Sequence, residues 1–405
     1  MMIFDEVIKQ FPQLQTMMNH HPLVYLDNGA TTLKPLSVIQ SLTDYYSFSV
    51  ANVHRGIHSL SENGTIAYEN VRKAVAEFIN AEHDHEIIFT KGTTDSFNLL
   101  AHSLGESVIG AGDEIIISTM EHHSNFVPWQ MMALQKGAKI IELPISDEGE
   151  ISLEVLQKII TPKTKILSLC HVSNTLGTIN PIKEVAKFCR QHQIIFCVDA
   201  AQSIAHLPVD VRDLDCDFLA FSAHKLYGPN GVGILYGKED LLNRMPPYQG
   251  GGAMISKVSF EQTTYNNLPF KFEAGTPVIA EVLAFKASLK FVQNIGYENI
   301  VNHEQELMKY AHAKLSEVPG LTFIGRAKNK ASVISFVIKD IHPHDLGTLL
   351  NQQGIAIRTG HHCTQALMQR FNIDFACRIS FGVYNTIEEI DYFIKALHKS
   401  LSFLK

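Results

Sequence analysis

The chain has 405 residues, a formal net charge of −7 and 19% charged side chains. This length suffices for one large domain and a smaller one. The weakly acidic balance argues against a nucleic-acid partner, and no apolar run approaches the roughly 20 residues that span a bilayer. Residues 1–15 have no apolar signal core and predict an amphipathic helix. We therefore expect neither nucleic-acid binding nor membrane insertion.

Six cysteines are present, and no two of them have the C-x-x-C spacing of a zinc knuckle or a thioredoxin-like motif. Cys170 and Cys197 lie inside apolar runs, so we predict that they are small core residues. Unpaired cysteines suit a reducing compartment, which predicts a cytoplasmic location. Cys363 differs from the others because it lies in the polar stretch RTGHHC.

The middle of the chain alternates short β-rich runs with helical patterns. Strands are predicted at 86–90, 114–119, 139–144, 165–173, 194–200, 218–223 and 231–237. Helices are predicted between them, at 65–80, 151–160 and 182–192. Several strands are apolar at every position, as expected when both faces of a sheet are covered. The pattern predicts an α/β fold with a mostly parallel seven-stranded sheet between helices.

After about residue 295 the pattern changes to that of a smaller α+β domain. The predicted elements are a helix at 297–316, a strand at 331–339, a helix at 345–353, strands at 354–360 and 375–385, and a closing helix. Three segments follow from this reading: an N-terminal helical segment (1–22) packing on the small domain, a large domain (23–295), and a small C-terminal domain (296–405).

Polar residues follow several predicted strands of the large domain. These residues are His122, Asn174, Asp199, Gln202 and Lys225. Ligands of parallel α/β sheets bind in the crevice beyond the carboxyl ends of the strands. Five polar residues at one edge therefore predict a site there.

Lys225 lies in the stretch FSAHKLYGPNGVGIL, where glycines and proline mark a loop between two strands. One interpretation is a structural ion pair, since buried lysines usually need partners. The other is a Schiff-base lysine that holds an aldehyde cofactor. Asp199 favours the second, because pyridoxal phosphate (PLP) needs a carboxylate at its ring nitrogen.

A phosphate cradle is predicted in TKGTTDSFNLL, where a glycine precedes Thr93 and Thr94 at a strand-to-helix turn. Backbone N–H groups and the helix dipole favour an anion there. The alternative is an ordinary N-cap. Ser222 and His224 flank the lysine and could reach the same phosphate. His122 could lie over the ring, or it could be a satisfied loop histidine.

Ten motifs in this order resemble cysteine desulfurases of the SufS type. They are VYLDNGATT, NVHRGIHSLS, KGTTDSFNLL, MEHHSNFVPWQ, HVSNTLGTINPI, VDAAQS, FSAHKLYGPNGVGIL, FEAGTP, RTGHHC and YNTIEEID. These enzymes are PLP enzymes of the class V aminotransferase group. The resemblance runs from about residue 24 to the C-terminus. It implies the aspartate aminotransferase-like fold (fold type I), a homodimer, and release of sulfur from L-cysteine with L-alanine as product, for iron–sulfur cluster assembly.

The resemblance also implies roles for the residues around the cofactor. Lys225 would form the Schiff base with PLP and Asp199 would pair with its ring nitrogen. Gln202 would bond the phenolic oxygen, and His122 would stack on the ring and assist proton transfer. The implied phosphate ligands are Thr94, Ser222, His224 and, from the other subunit, Thr276. Each active site would then be shared and the dimer obligatory.

For the substrate, the resemblance implies that Arg378 and Asn174 clamp the carboxylate, and bidentate geometry suits arginine. Further active-site residues are implied at Arg358, His54 and Arg55. The alternative is that these three residues only form structural ion pairs.

Cys363 would attack the substrate's sulfur and carry it as a persulfide. Neighbouring cations or histidines can lower a thiol pKa, and Arg358, His361 and His362 are candidates. A surface cysteine or an HHC metal site are the alternatives, but adjacent residues do not readily point at one metal. The segment around Cys363 is short, so the resemblance implies an enzyme that is slow alone and needs a SufE- or SufU-like acceptor.

Two other functions remain open. One is a PLP-dependent selenocysteine or cysteine sulfinate lyase in which Cys363 is not the main sulfur carrier. The other is a non-enzymatic protein that kept the fold. The complete set of Lys225, Asp199, His122 and Arg378 argues against the second.

Overall fold

A seven-stranded sheet forms the centre of the molecule, whose computed structural model describes residues 2–404. Residues 1 and 405, the ends of the first and last predicted segments, lie outside this description. In spatial order the strands are Ile87–Thr90, Gly233–Gly237, Phe218–Ser222, Ile195–Asp199, Thr164–Cys170, Glu114–Ser118 and Lys139–Leu143. Gly233–Gly237 is antiparallel to both neighbours and all other pairs are parallel. The predicted seven-stranded sheet is confirmed.

Side-chain alternation on the strands produces two cores, one on each face of the sheet. In the strand Phe218–Ser222, Leu219 and Phe221 belong to one buried cluster, whereas Phe218 and Ala220 belong to the other. Successive side chains of a strand point to opposite faces. A strand buried on both faces is therefore apolar at nearly every position, which is the pattern seen in the sequence.

Helices cover both faces of the sheet. The α-helices of the large domain are Leu36–Asp44, Ser59–Phe78, Thr93–Leu99, Gly105–Val108, Val127–Lys136, Leu153–Ile159, Ile182–His192, Ser203–His206, Val211–Leu214, Glu239–Arg244 and Ile279–Ile295. The helix predicted at 65–80 begins earlier, because the His58 side chain caps it by accepting from the Ser61 N–H. Within residues 2–404, no helix is long and apolar enough to cross a membrane.

The C-terminal part forms a second, antiparallel sheet with its own buried cluster. Its strands, in spatial order, are Leu321–Ile324, Val333–Ile338, Ala376–Ser380 and Arg358–Gly360. Its helices are Tyr297–Ser316, Pro343–Asn351, Gln365–Arg370 and Ile387–Leu404. The single strand predicted at 354–360 is wrong, because the chain changes partners at Ile357. Ile355–Ala356 pairs with Val24–Tyr25, and only Arg358–Gly360 joins the small sheet.

The N-terminal segment contains the helix Met2–Ile8 and a short hairpin of Met17–Met18 with His21–Pro22. Phe11 is fully buried and packs edge-on against Tyr227, Phe291 and Tyr384. The segment therefore contacts residues from both predicted domains. The domain boundaries themselves stay a prediction.

Candidate active site

The carboxyl ends of the parallel strands border a cavity of about 190 Å³. Twelve of the fifteen residues predicted from the sequence line it: Thr93, Thr94, His122, Asn174, Asp199, Gln202, Ser222, His224, Lys225, Arg358, Cys363 and Arg378. They come from nearly the whole length of the chain. Nine of them lie at the ends of strands or at the start of a helix along one edge of the large sheet, and the small sheet and the connection after it add Arg358, Cys363 and Arg378.

Asp199 and Lys225 follow neighbouring strands. Asp199 is buried, and one carboxylate oxygen accepts the Ala201 N–H at 2.8 Å. Burial raises its pKa, and the nearby lysine partly offsets that rise. Burial also lowers the pKa of Lys225 to about 8, although the charge of Asp199 opposes this shift. An amine with this pKa is partly neutral at pH 7 and can act as a nucleophile.

His122 carries no charge at neutral pH. Burial and the charge of Lys225 lower its pKa to about 3. Its Nδ1 accepts the Ser124 N–H at 3.1 Å and lies 3.0 Å from the Ser124 hydroxyl. Since Nδ1 accepts a backbone N–H, the ring proton is on Nε2. His122 therefore presents a neutral ring to the cavity.

Hydroxyl groups cluster where the helix Thr93–Leu99 begins. The Ser222 hydroxyl accepts the Thr93 N–H at 2.8 Å and lies 2.7 Å from the Thr93 hydroxyl. The Thr94 hydroxyl lies 2.6 Å from that of Ser124. Gly92 occupies the N-cap position without a side-chain cap, so the N-cap alternative for Thr93 is wrong. These hydroxyls and the helix start suit an anion.

His224 extends the same cluster. Its Nδ1 lies 3.2 Å from the Thr31 hydroxyl, and its backbone carbonyl accepts from Lys34 Nζ at 2.7 Å. Burial, Lys225 and Lys34 lower the pKa of His224 to about 4. The imidazole is therefore neutral, and a proton on one ring nitrogen is available as a hydrogen-bond donor.

Arg378 also lines the cavity and is almost fully buried. It donates to the Asp27 carboxylate at 3.1 Å and to the Asn174 carbonyl at 2.9 Å, while its Nε has no partner among residues 2–404. Arg358 lies 3.6 Å from the other Asp27 oxygen. Two guanidinium groups and a free N–H donor fit a substrate carboxylate.

Cys363 is the least buried of the six cysteines, all of which are unpaired. Residues 361–364 alone connect the strand Arg358–Gly360 to the helix Gln365–Arg370. The Cys363 N–H donates to His361 Nδ1 at 3.1 Å, and the Cys363 carbonyl accepts the His123 N–H at 2.8 Å. These bonds hold Cys363 at φ 58°, in the left-handed region that non-glycine residues rarely adopt.

Of the groups proposed to lower the Cys363 pKa, His362 is excluded. Burial and the charges of Arg378 and Arg358 lower the pKa of His362 to about 2, so it carries no positive charge at neutral pH. Arg358 and His361 stay candidates.

Three predicted residues lie outside this cavity in the single chain. His54 and Thr276 line a separate cavity, and His54 Nε2 lies 2.8 Å from Glu69. Arg55 is exposed. The role predicted for Thr276 concerns the other subunit's site and stays a prediction.

Sequence reasoning missed three residues that support the site: Asp27, Ser124 and Glu121. Glu121 is buried and accepts from the Ser118 hydroxyl at 2.5 Å, the Cys170 N–H at 3.0 Å and the Asn125 amide at 2.6 Å. Burial raises its pKa to about 7. A clue was available, since Asp27 and Glu121 both lie inside the quoted motifs VYLDNGATT and MEHHSNFVPWQ.

These residues fit PLP. The hydroxyl cluster and His224 suit its phosphate, Asp199 suits its ring nitrogen, and Lys225 suits its aldehyde. The carboxylate of Asp199 receives a single hydrogen bond from the described part of the chain, which leaves capacity for a ring N–H.

Comparison with known proteins places the chain in a family. The class-V aminotransferase family, whose enzymes use PLP, matches residues 24–393. The chain is 48% identical to a probable cysteine desulfurase of Halalkalibacterium halodurans, over 98% of this chain and 97% of that protein. It is 47% identical to a cysteine desulfurase of Escherichia coli K12, over 98% of both.

Solved structures agree as well. The cysteine desulfurase CsdA of Escherichia coli, in an S-sulfonic acid form, superposes with a TM-score of 0.93 at 37% identity, covering 99% of both chains. The predicted aspartate aminotransferase-like fold and PLP dependence are confirmed. The chain belongs to the class-V aminotransferase family.

Proposed function

We propose that this chain is a PLP-dependent cysteine desulfurase that converts L-cysteine to L-alanine and keeps the sulfur as a persulfide on Cys363. The observation that carries the proposal is the placement of Cys363 in the cavity that also contains Lys225, Asp199 and Arg378. A thiol in this position can reach a substrate held by the lysine and arginine ends of the cavity.

PLP, when bound, supplies an aldehyde that condenses with amines and a ring that withdraws electrons. Asp199 would keep the ring nitrogen protonated. Lys225, with its pKa lowered to about 8, holds the cofactor and moves protons through Nζ near neutral pH. His122, neutral and protonated on Nε2, assists that proton transfer.

Arg378 and the Asn174 segment orient the substrate carboxylate. Cys363 Sγ, as a thiolate, then attacks the substrate sulfur. A sulfur–sulfur bond forms while the carbon–sulfur bond breaks, and the bonding pair goes to the substrate carbon. That carbon takes up a proton, so the products are L-alanine and the Cys363 persulfide. No external oxidant is needed, because the two electrons that the sulfur atoms lose on forming the persulfide reduce the substrate carbon.

The persulfide would pass to an acceptor protein in the SUF iron–sulfur assembly system, of the SufE or SufU kind. The short connection 361–364 supports this view, because hydrogen bonds from His123 and Asn174 hold its backbone. A tethered Cys363 cannot swing far from the cavity, so the acceptor thiol has to approach it. This chemistry requires reduced thiols, which supports a cytoplasmic location.

We further assign a homodimer with shared active sites. Ile57 and Phe260 are fully exposed apolar side chains, with relative exposures of 104% and 108%. Burial of these side chains in an interface would remove apolar surface from water. Thr276 lies away from this chain's own cavity, as a residue donated to a partner's site would.

Selenocysteine lyase activity is a proposed side activity. Arg378 and Asn174 are assigned to the substrate's carboxylate. Selenocysteine has the same carboxylate as cysteine, so these two residues would also bind it. A selenium leaving group is better than sulfur, so Cys363 is not needed for its release.

Mass spectrometry after incubation with L-cysteine tests the main proposal. We expect a gain of one sulfur atom on the Cys363 peptide, and its loss in Cys363→Ala. Cys170→Ala is the matched control, because Cys170 lines the same cavity but burial raises its thiol pKa far above the usual value. Unchanged cysteine turnover in Cys363→Ala would exclude the persulfide route while leaving a lyase possible.

A further inference from the structure

His362 lines the candidate active site but has no role in the reaction proposed for it. The residue is 4% exposed, and neither ring nitrogen has a hydrogen-bond partner among residues 2–404. The backbone of Ala376 lies close to the ring and offsets part of the pKa lowering, although the geometry between the two does not reach that of a hydrogen bond. Buried polar groups of native proteins are normally paired. Two buried nitrogens without partners among residues 2–404, on a residue that lines the cavity, therefore point to a partner that arrives with a ligand.

Asn174 connects His362 to Arg378 through two hydrogen bonds. The Asn174 side-chain amide donates to the His362 carbonyl at 2.8 Å, and the Asn174 carbonyl accepts from Arg378 at 2.9 Å. Asn174 thus fixes both residues relative to each other. His362 has a φ of 52°, a left-handed conformation that a non-glycine residue keeps only where its surroundings enforce it.

The Nε of Arg378, a residue that also lines this cavity, is a second buried donor without a partner in the described part of the chain. His361, Arg358 and Arg378 are the charged or titratable groups that act on His362, and all of them oppose its protonation. The ring therefore stays neutral, with one N–H and one lone pair. Such a ring donates a hydrogen bond without adding a third positive charge next to two guanidinium groups.

We propose that His362 is a substrate-binding residue whose ring N–H donates to the α-carboxylate of the amino acid, beside Arg378. The inference rests on the proposed function, because that function supplies an amino-acid substrate. A carboxylate has lone pairs for both Arg378 and His362. Its arrival would satisfy the two orphan donors together.

Binding of the product L-alanine to the PLP-loaded protein tests this inference without turnover. The visible absorption change gives its dissociation constant in wild type, His362→Phe and His362→Gln. L-Alaninamide, which has no carboxylate, is the matched ligand. We expect His362→Phe to weaken L-alanine binding roughly tenfold and to leave L-alaninamide within about twofold. His362→Gln should recover part of the loss through its amide donor.

PLP content and the thermal unfolding midpoint establish that each variant is folded. If His362→Phe does not fold, His362→Ala, whose side chain is smaller, replaces it in the same binding measurements. The inference is overturned if L-alanine binding is unchanged, or if both ligands weaken equally. Absence of a persulfide on wild-type Cys363 would instead overturn the proposed function, so the two failures are distinguishable.

Discussion

The carboxylate of Asp27 accepts a hydrogen bond from the buried guanidinium of Arg378 at 3.1 Å. The two residues are 351 positions apart in the chain, and the fold alone brings them together. Arg378 is 2% exposed, so its charge depends on this partner when no substrate is present. Asp27 therefore stabilises the ligand-free site and also competes with the substrate carboxylate.

Asp27→Asn should lower the thermal unfolding midpoint, because it removes the counter-charge of a buried guanidinium. L-Alanine should raise the midpoint of this variant more than that of wild type, since the added carboxylate replaces the missing charge. Differential scanning fluorimetry with and without L-alanine measures both effects. Asp147→Asn is the control, because Asp147 pairs with Arg370 at an exposed site. Equal L-alanine shifts in wild type and Asp27→Asn would contradict the prediction.

Replacing Lys225 should change how the stability of the PLP-free protein depends on pH. The folded-state pKa of Lys225 is lowered from 10.5 to about 8, so the unfolded chain binds more protons between these values. The contribution of Lys225 to the free energy of unfolding therefore rises with pH between about 8 and 10.5, and it is lowest below pH 8. Lys225→Met should stabilise the PLP-free chain by about 3 kcal/mol at pH 7, with the gain fading as pH rises.

Urea unfolding at pH 7, 8 and 9 measures this gain. Lys158→Met, on a helix away from the cavity, should show no such pH trend. A gain that grows with pH would mean that Lys225 has a stabilising ion pair in the PLP-free protein instead of a desolvation penalty.

Lys34→Met should weaken PLP retention. Lys34 Nζ donates to the His224 carbonyl at 2.7 Å, directly before Lys225, so the lysine fixes the turn that carries both residues. Burial lowers the pKa of Lys34 to about 7, so the amine is only partly charged at neutral pH. Loss of this hydrogen bond should raise the PLP dissociation constant about fivefold. Absorption titration with PLP gives the constant. Lys163→Met, a substitution at the surface, is the control. An unchanged dissociation constant in Lys34→Met would show that the hydrogen bonds from Thr31 and Thr32 are enough to hold the turn.

Gly233→Ala should destabilise the chain by about 2 to 4 kcal/mol. A Cβ at residue 233 would lie 2.4 Å from backbone atoms of Gly92, at the start of the phosphate cradle. Backbone atoms there cannot move without displacing Thr93. Denaturant unfolding measures the loss, and Gly250→Ala is the matched control because no atom lies within 4 Å of its Cβ position. Comparable stability of the two variants would contradict the close approach.

Much of the fold followed from local pattern. The strands Ile195–Asp199 and Phe218–Ser222 are apolar on both faces, so they could be recognised as buried strands, and polar residues at their ends marked the site. The strand at 354–360 was misjudged, because an apolar run does not reveal that its pairing partner changes at Ile357.

The order of most strands and helices, and the identity of most residues that line the cavity, could be predicted from the sequence. That information is local, since it depends on side-chain periodicity and on which residue follows each strand. Which charges meet, and which buried groups of residues 2–404 have no hydrogen-bond partner, depends on the tertiary structure. The Asp27–Arg378 pair and the neutral, unpartnered ring of His362 arise from burial and long-range contact, and neither quantity can be read from neighbouring letters of the chain.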